Sequence, residues 1–354
     1  MALIHGGQLQ KVAKQYRIPT ADWLDLSTGI APNSYPIPDI ALSVWQQLPQ
    51  QSLKLISAAK QYYQCSELVI TNGSQAIIKA LPALYQQKNS NAKDVYLPER
   101  GYKEHAHAWR IAGYNLHFYQ DLLPEINLLT PHCVVVIINP NNPTGQFFAR
   151  EVIKQYHHKV SQLEGLLVLD EAFIDVMPSK QSYCSEVHNK HCLVLRSFGK
   201  FFGLAGIRIG FLVANNDWCS TFTELLGPWQ VNGPAQIIAE RALSDNHWHT
   251  KQKKILNELR TTQERMLRQV FPTTLIANIT GCDLFLTVSF HQADSAKELY
   301  HLLCQQGIYC RLADEQDTLR FGITTEEALS HLKDACLLAQ KKLTSPPTLE
   351  NNTS

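Results

Sequence analysis

The sequence has no long apolar run, no block of like charge and no paired-cysteine spacing. The first absence excludes a membrane-spanning helix, which needs roughly twenty consecutive apolar residues. The second removes the usual footprint of a nucleic-acid or membrane-surface partner, since net charge is +1 without a basic or acidic segment. The third bears on redox state. Nine cysteines are scattered along the chain, an odd count with no C-x-x-C, and they read as reduced, buried thiols. The N-terminus lacks a secretory apolar core, so the expected compartment is the cytoplasm. No internal repeat occurs. His105 and His107 are two apart and fall on different faces of a helix, and no other cluster has ligand spacing, so no metal is expected.

What remains is an ordinary globular composition, 45% apolar and 18% charged, over 354 residues. That length suits two domains. Residues 1–38, rich in glycine and proline, read as an irregular N-terminal arm packing on a small domain and the active site. Helix is expected over about 52–64. Apolar strand-like runs then alternate with helical segments: Leu68-Val69-Ile70, Asp94 to Leu97, Cys133 to Ile138, Leu166 to Leu169, Cys192 to Leu195 and Gly210 to Val213. Continuous apolar strands separated by helices predict an α/β fold with a mostly parallel sheet covered on both faces. The large domain is expected over 39–245. A smaller α+β domain is expected over 246–343, and a disordered tail over 344–354, which is polar and proline-containing. A long helix from Pro234 to about Arg268, with a possible break near Asp245-Asn246, spans the boundary.

Ligands of such sheets sit beyond the carboxyl ends of the strands, and the unusual motifs fall there. Lys200 lies in Ser197-Phe198-Gly199-Lys200-Phe201-Phe202-Gly203, after a buried strand. A lysine desolvated in such a bend has a nucleophilic amine that can attack a carbonyl; the bland alternative is a solvated surface lysine. Asn72-Gly73-Ser74-Gln75 opens a helix, where free N–H groups bind phosphate, although it also reads as a plain strand-to-helix turn. Asn139-Pro140-Asn141-Asn142-Pro143-Thr144-Gly145 is a stiff loop that can aim an amide over a strand end. Asp170-Glu171-Ala172-Phe173 ends another strand. A nucleotidase would need a G-x-x-x-x-G-K-[ST] loop, which is missing, whereas a buried carboxylate facing a pyridinium N–H would serve an electron sink. Tyr102 could stack on a flat ring or be a half-buried loop tyrosine. Arg208 could pair with a phosphate. Arg320 could clamp a substrate carboxylate or sit in a salt bridge on an edge strand.

In order and spacing, Asn142-Pro143-Thr144-Gly145, Asp170-Glu171-Ala172-Phe173 and Ser197-x-x-Lys200 with Arg208 resemble the fold-type I, pyridoxal-phosphate (PLP)-dependent class I/II aminotransferase superfamily. The likeness covers about residues 1–343. It implies that Lys200 carries PLP covalently and acts as acid and base, and that Asp170 pairs with the ring nitrogen. It also implies Asn142 on the phenolic oxygen and Tyr102 stacked on the ring, with Gly73, Ser74, Ser197 and Arg208 on the phosphate. Arg320 would take the substrate carboxylate. Two departures stand out. Phe173 replaces a frequent tyrosine, and no tyrosine occurs in Leu48-Pro49-Gln50-Gln51-Ser52-Leu53, where many members supply one to a partner subunit.

His5-Gly6-Gly7, Asp25-Leu26-Ser27-Thr28-Gly29-Ile30-Ala31-Pro32, Phe173 and Glu104-His105-x-x-x-Trp109 resemble the branch that decarboxylates L-threonine O-3-phosphate for cobalamin synthesis. That branch implies a phosphorylated amino-acid substrate and a homodimer. His5, Gly29, Ile30 and Arg311, with Arg320, are the substrate-binding candidates. The competing readings are an aminotransferase acting on a phosphorylated substrate such as histidinol phosphate, and a non-catalytic sensor built on the same fold.

Overall fold

The chain is described by a computed structural model over residues 6–344. These residues fall into two compact units, one of 30–256 and the other of 6–29 with 257–344.

The first unit is built on a seven-stranded sheet. Its strand order is Leu68–Thr71, Gly210–Val213, Cys192–Ser197, Leu166–Asp170, Val134–Ile138, Asp94–Pro98 and Asn115–Tyr119. Gly210–Val213 runs antiparallel to both neighbours, and the remaining pairings are parallel. All residues of Val134–Ile138 and Leu166–Asp170 are buried, which is why these stretches read as unbroken apolar runs. The edge strand Asn115–Tyr119 has no such run. Its Asn-Leu-His-Phe-Tyr pattern is mostly exposed, and sequence reasoning passes over it.

The second unit carries a four-stranded antiparallel sheet in the order Arg311–Leu312, Thr318–Gly322, Phe285–Phe290 and Ile276–Cys282. Helices Ala293–Cys304 and Glu326–Thr344 contribute to one apolar core with this sheet. Leu24–Asp25 pairs in parallel with Ile308–Tyr309.

The N-terminal segment is more regular than expected. Leu9–Tyr16 is a helix with a positive-φ cap at Arg17. Leu9, Val12, Ala13 and Tyr16 recur at helical spacing, and Leu9, Val12 and Tyr16 pack with Cys304 and Tyr309, a signal that the glycines and prolines around it masked. The division of the chain also differs from the sequence expectation at two points. Residues 30–38 group with the first unit, where the Ala31 and Tyr35 N–H groups donate to the Lys200 and Phe202 carbonyls. The second boundary falls at 256/257, inside helix Asn246–Val270, not before it. The expected break does occur at Asp245, which ends Gly233–Ser244 and caps the next helix by accepting from the Trp248 N–H at 2.9 Å. The first turns of that helix nevertheless pack within the first unit, Trp248 stacking on Phe202. The expected tail falls outside the described residues, except for Thr344, which ends the last helix.

One buried charge network ties three segments of the first unit. Arg196 is 2% exposed. Its guanidinium donates to Glu171 at 3.0 Å and to Asp175, and lies over the Tyr63 ring at 4.5 Å. Glu171, fully buried, also accepts from the Ser182 hydroxyl at 2.7 Å and the Tyr183 N–H at 2.7 Å. Removing one partner of such a network strands the others without water. Arg196→Ala is therefore expected to lower unfolding free energy by about 3–5 kcal/mol in urea denaturation. A loss below about 1 kcal/mol would show that the carboxylates find other partners.

Candidate active site

Five carboxyl-end turns of the large sheet meet around a cavity of about 140 Å³. Gly73, Ser74, Tyr102, Asn142, Asp170, Ser197, Lys200 and Arg208 all line it, together with Gln75 and Phe173. A larger cleft of about 520 Å³, lined by Pro49 to Gln51 and Thr223 to Val231, offers a single carboxylate, Glu224, and no comparable set of reactive groups. Chemistry, not size, selects the first.

Asp170 ends its strand and is 3% exposed. An ionised carboxylate in such a place needs donors. It has the Ala172 N–H at 3.1 Å and the His105 Nε2, which lies 2.9 Å from its second oxygen and donates to it. His105 is itself 2% exposed, on helix Lys103–Ile111. The sequence marks His105 as a family residue and an improbable metal ligand, and does not join it to Asp170. Spacing on one helix cannot reveal a partner at the end of another strand.

Tyr102 stands just before that helix, and its hydroxyl donates to Gln75 Oε1 at 3.0 Å. Burial pushes the phenol well above its ordinary range, so it stays neutral. Gln75 was quoted in its motif but not singled out as a site residue.

Gly73 begins helix Ser74–Lys88 with φ +90°, a backbone that side-chain-bearing residues rarely adopt. A Cβ there would lie 2.9 Å from the Arg208 guanidinium. Glycine thus lets an arginine and a helix N-terminus converge, with Ser197 on the next turn, which suits a dianion. Arg208 is exposed and also donates to the Ala205 carbonyl at 3.3 Å.

Lys200 sits in the short helix Phe198–Phe201. The residue is half-buried, less enclosed than a desolvated lysine would be, and its amine lies 5.4 Å from the Phe173 ring centroid. Phe173 is 4% exposed and presents an apolar face to the amine. The asparagine loop is fixed by its own amides. Asn139 exchanges hydrogen bonds with the Phe148 main chain, and Asn141 donates to the Arg100 carbonyl and the Thr144 hydroxyl, leaving Asn142 on the cavity wall.

The remaining candidates are placed elsewhere. Ile30 is not among the residues lining this cavity. His5 lies outside the described residues. Gly29, Arg311 and Arg320 belong to the second unit. There Arg320 donates to the Ser27 carbonyl at 2.6 Å, and burial, helped by Arg311, pushes its guanidinium down to about 10, still a cation at neutral pH. Arg311 pairs with Asp314 at 2.8 Å and stands directly opposite Arg320 in the ladder. Gly7 donates to the Ser27 hydroxyl, which in turn donates to Asp25.

Residues 42–335 match the family model for aminotransferase class I and II. The chain belongs to that family. A threonine-phosphate decarboxylase of Pseudomonas aeruginosa is 37% identical over 344 residues, 96% of this chain and 98% of that protein. One from a Sinorhizobium species is 33% identical over 92% of this chain and 95% of its own length. Among solved structures, histidinol-phosphate aminotransferase of Sinorhizobium meliloti, in complex with pyridoxal-5'-phosphate, superposes with TM-score 0.78 at 17% identity, covering 97% of this chain and 96% of that one. The α/β architecture with its mostly parallel sheet is thus the PLP-dependent transferase fold expected from the sequence. Among the described residues no helix is long and apolar enough to cross a membrane, and no group of His, Cys, Asp and Glu could hold a metal.

His105→Phe would leave Asp170 with the Ala172 N–H as its remaining donor in this pairing. The variant is expected to lose about 1–3 kcal/mol of stability at pH 7 in urea titration. An unchanged midpoint would show that Asp170 does not need the imidazole.

Proposed function

We propose that this chain is a PLP-dependent carboxy-lyase that converts L-threonine O-3-phosphate to (R)-1-amino-2-propanol O-2-phosphate and carbon dioxide. The observation that carries this reading is the full-length likeness, at 37% identity, to a named threonine-phosphate decarboxylase. In this reading the product serves cobalamin biosynthesis, in the cytoplasm.

The cavity's donor set fits the cofactor. A primary amine, a buried carboxylate with its own histidine, and a glycine that opens onto an arginine are the three features a pyridoxal phosphate requires. Lys200 would hold it covalently, Asp170 its ring nitrogen, Asn142 its phenolic oxygen, and Gly73, Ser74, Ser197 and Arg208 its phosphate, with Tyr102 against the ring. When bound, the group supplies an electron sink for the bond broken at Cα. Asp170 sets its carboxylate beside that sink, and His105 prevents the carboxylate from turning away. Lys200 delivers the proton that replaces the carboxylate on Cα. Arg320 and the Gly29-Ile30 backbone are assigned to the substrate carboxylate, and Arg311 and His5 to its phosphate. Phe173 in place of a hydroxyl-bearing ring leaves Lys200 with an apolar neighbour at 5.4 Å.

The choice between decarboxylation and transamination is not made by fold. Incubated with PLP and threonine phosphate, the protein is expected to release carbon dioxide without any 2-oxo acid. Lys200→Ala is expected to abolish both turnover and the visible absorption of the bound cofactor. Turnover that begins only when a 2-oxo acid is added would replace this reading with an aminotransferase.

A homodimer completes the proposal. Ile37, Leu42, Trp45, Leu48 and Leu53 are 62–80% exposed, a density of large apolar side chains that monomers rarely leave in water. Trp45→Glu is expected to shift the protein from dimer to monomer in sedimentation. An unmutated protein that sediments as a monomer at micromolar concentration would reject the assembly.

A further inference from the structure

The turn that carries Lys200 ends in three successive main-chain carbonyls; each accepts from a donor outside the turn, and Lys200 O also accepts from the Gly203 N–H at 3.3 Å. Lys200 O accepts from the Ala31 N–H at 2.9 Å, and Phe202 O from the Tyr35 N–H at 2.9 Å. Between them, Phe201 O accepts from the side-chain amide of Gln252 at 3.3 Å. The same nitrogen of Gln252 donates to Asn33 O at 2.9 Å. Helix ends leave such carbonyls without partners of their own, and buried ones must be paired. Residues 31, 33 and 35 thus lie along 200, 201 and 202, and Gln252 joins the middle of one row to the middle of the other.

The surroundings leave the amide little freedom. Gln252 is 2% exposed. Trp248, one turn earlier on the same helix face, stacks on Phe202 with an interplanar angle of 11° and meets Tyr35 edge-on at 5.1 Å. Gly203 closes the turn with φ +68°, and a Cβ there would lie 2.7 Å from the Ser34 Cα. The two rows therefore touch main chain to main chain, and Gln252 is the one side chain among the donors to these three carbonyls.

We infer that Gln252 is a positioning residue that locks the Ala31–Tyr35 segment onto the Lys200 turn and so sets where the Lys200 amine stands. It touches neither substrate nor cofactor. Losing its two donations would free the Phe201 carbonyl and let the turn shift by a fraction of an ångström, enough to misplace a proton donor. The inference rests on the decarboxylase reading for its kinetic arm alone.

Two variants test it. Gln252→Leu keeps the volume and removes both donations; Gln252→Glu keeps the shape and sets a carboxylate against two carbonyls. In the protein without cofactor, amide hydrogen exchange is expected to quicken about tenfold in a peptide spanning 30–36, with the strand Leu166–Asp170 unchanged. With cofactor and threonine phosphate, kcat is expected to fall about tenfold while KM moves less than about threefold. Unchanged exchange at 30–36 in both variants overturns the inference, as does exchange rising equally across the sheet, or an unaltered kcat beside altered exchange. If the unmutated protein releases no carbon dioxide, the decarboxylase reading fails, and the exchange result alone decides the role of Gln252.

Discussion

Two successive carboxylates, Asp170 and Glu171, close one strand of the large sheet, and both are out of reach of water. Asp170 is 3% exposed and Glu171 fully buried. Each would be prohibitively costly alone. The chain answers with two separate sets of donors. Asp170 is held by His105 and the Ala172 N–H; Glu171 is held by Arg196, Ser182 and the Tyr183 N–H. Arg196 precedes Ser197 and lies four residues before Lys200, on the strand beside theirs. The ion pair that neutralises Glu171 therefore also fixes the strand end from which the Lys200 turn departs. Structure and site share one electrostatic requirement.

This sharing explains what the sequence could reveal. The apolar strands are buried on both faces and announce themselves as continuous runs. The residues following them, at glycine, proline or Asp-Glu breaks, are the ones that reach the cavity. Gly73, Asn142, Asp170, Ser197 and Lys200 could each be named from such a break, because geometry places strand ends side by side in a parallel sheet. What stayed hidden are the partners. His105 on one helix and Gln252 on another show no local pattern that points to their targets. A helical residue's sequence neighbours say which face it occupies, not which strand end or turn it meets. The edge strand Asn115–Tyr119 and helix Leu9–Tyr16 escaped for a different reason: the first has an exposed, polar pattern, and the second is short and set among glycines.

The Phe173 substitution shows how a departure from a family pattern becomes physical. A hydroxyl on that ring would give the cavity one more donor, whereas the phenyl face offers none. The Lys200 amine lies 5.4 Å from that face. A ring face stabilises a nearby cation only weakly compared with a hydroxyl that accepts from it. In the proposed reading, the phenyl face leaves the shaping of the Lys200 environment to the other groups of the cavity wall.

The second unit sets two arginines against each other. Arg311 and Arg320 stand directly opposite on neighbouring antiparallel strands. Like charges in that position are unfavourable for a sheet, and Arg320 registers the cost in a guanidinium pushed down to about 10 by burial and by Arg311. Asp314 pairs with Arg311, and the Ser27 carbonyl accepts from Arg320. A fold optimised for stability alone would replace one arginine of such a pair. In the proposed reading, a substrate carrying a carboxylate and a phosphate would find two guanidinium groups on neighbouring strands of this ladder.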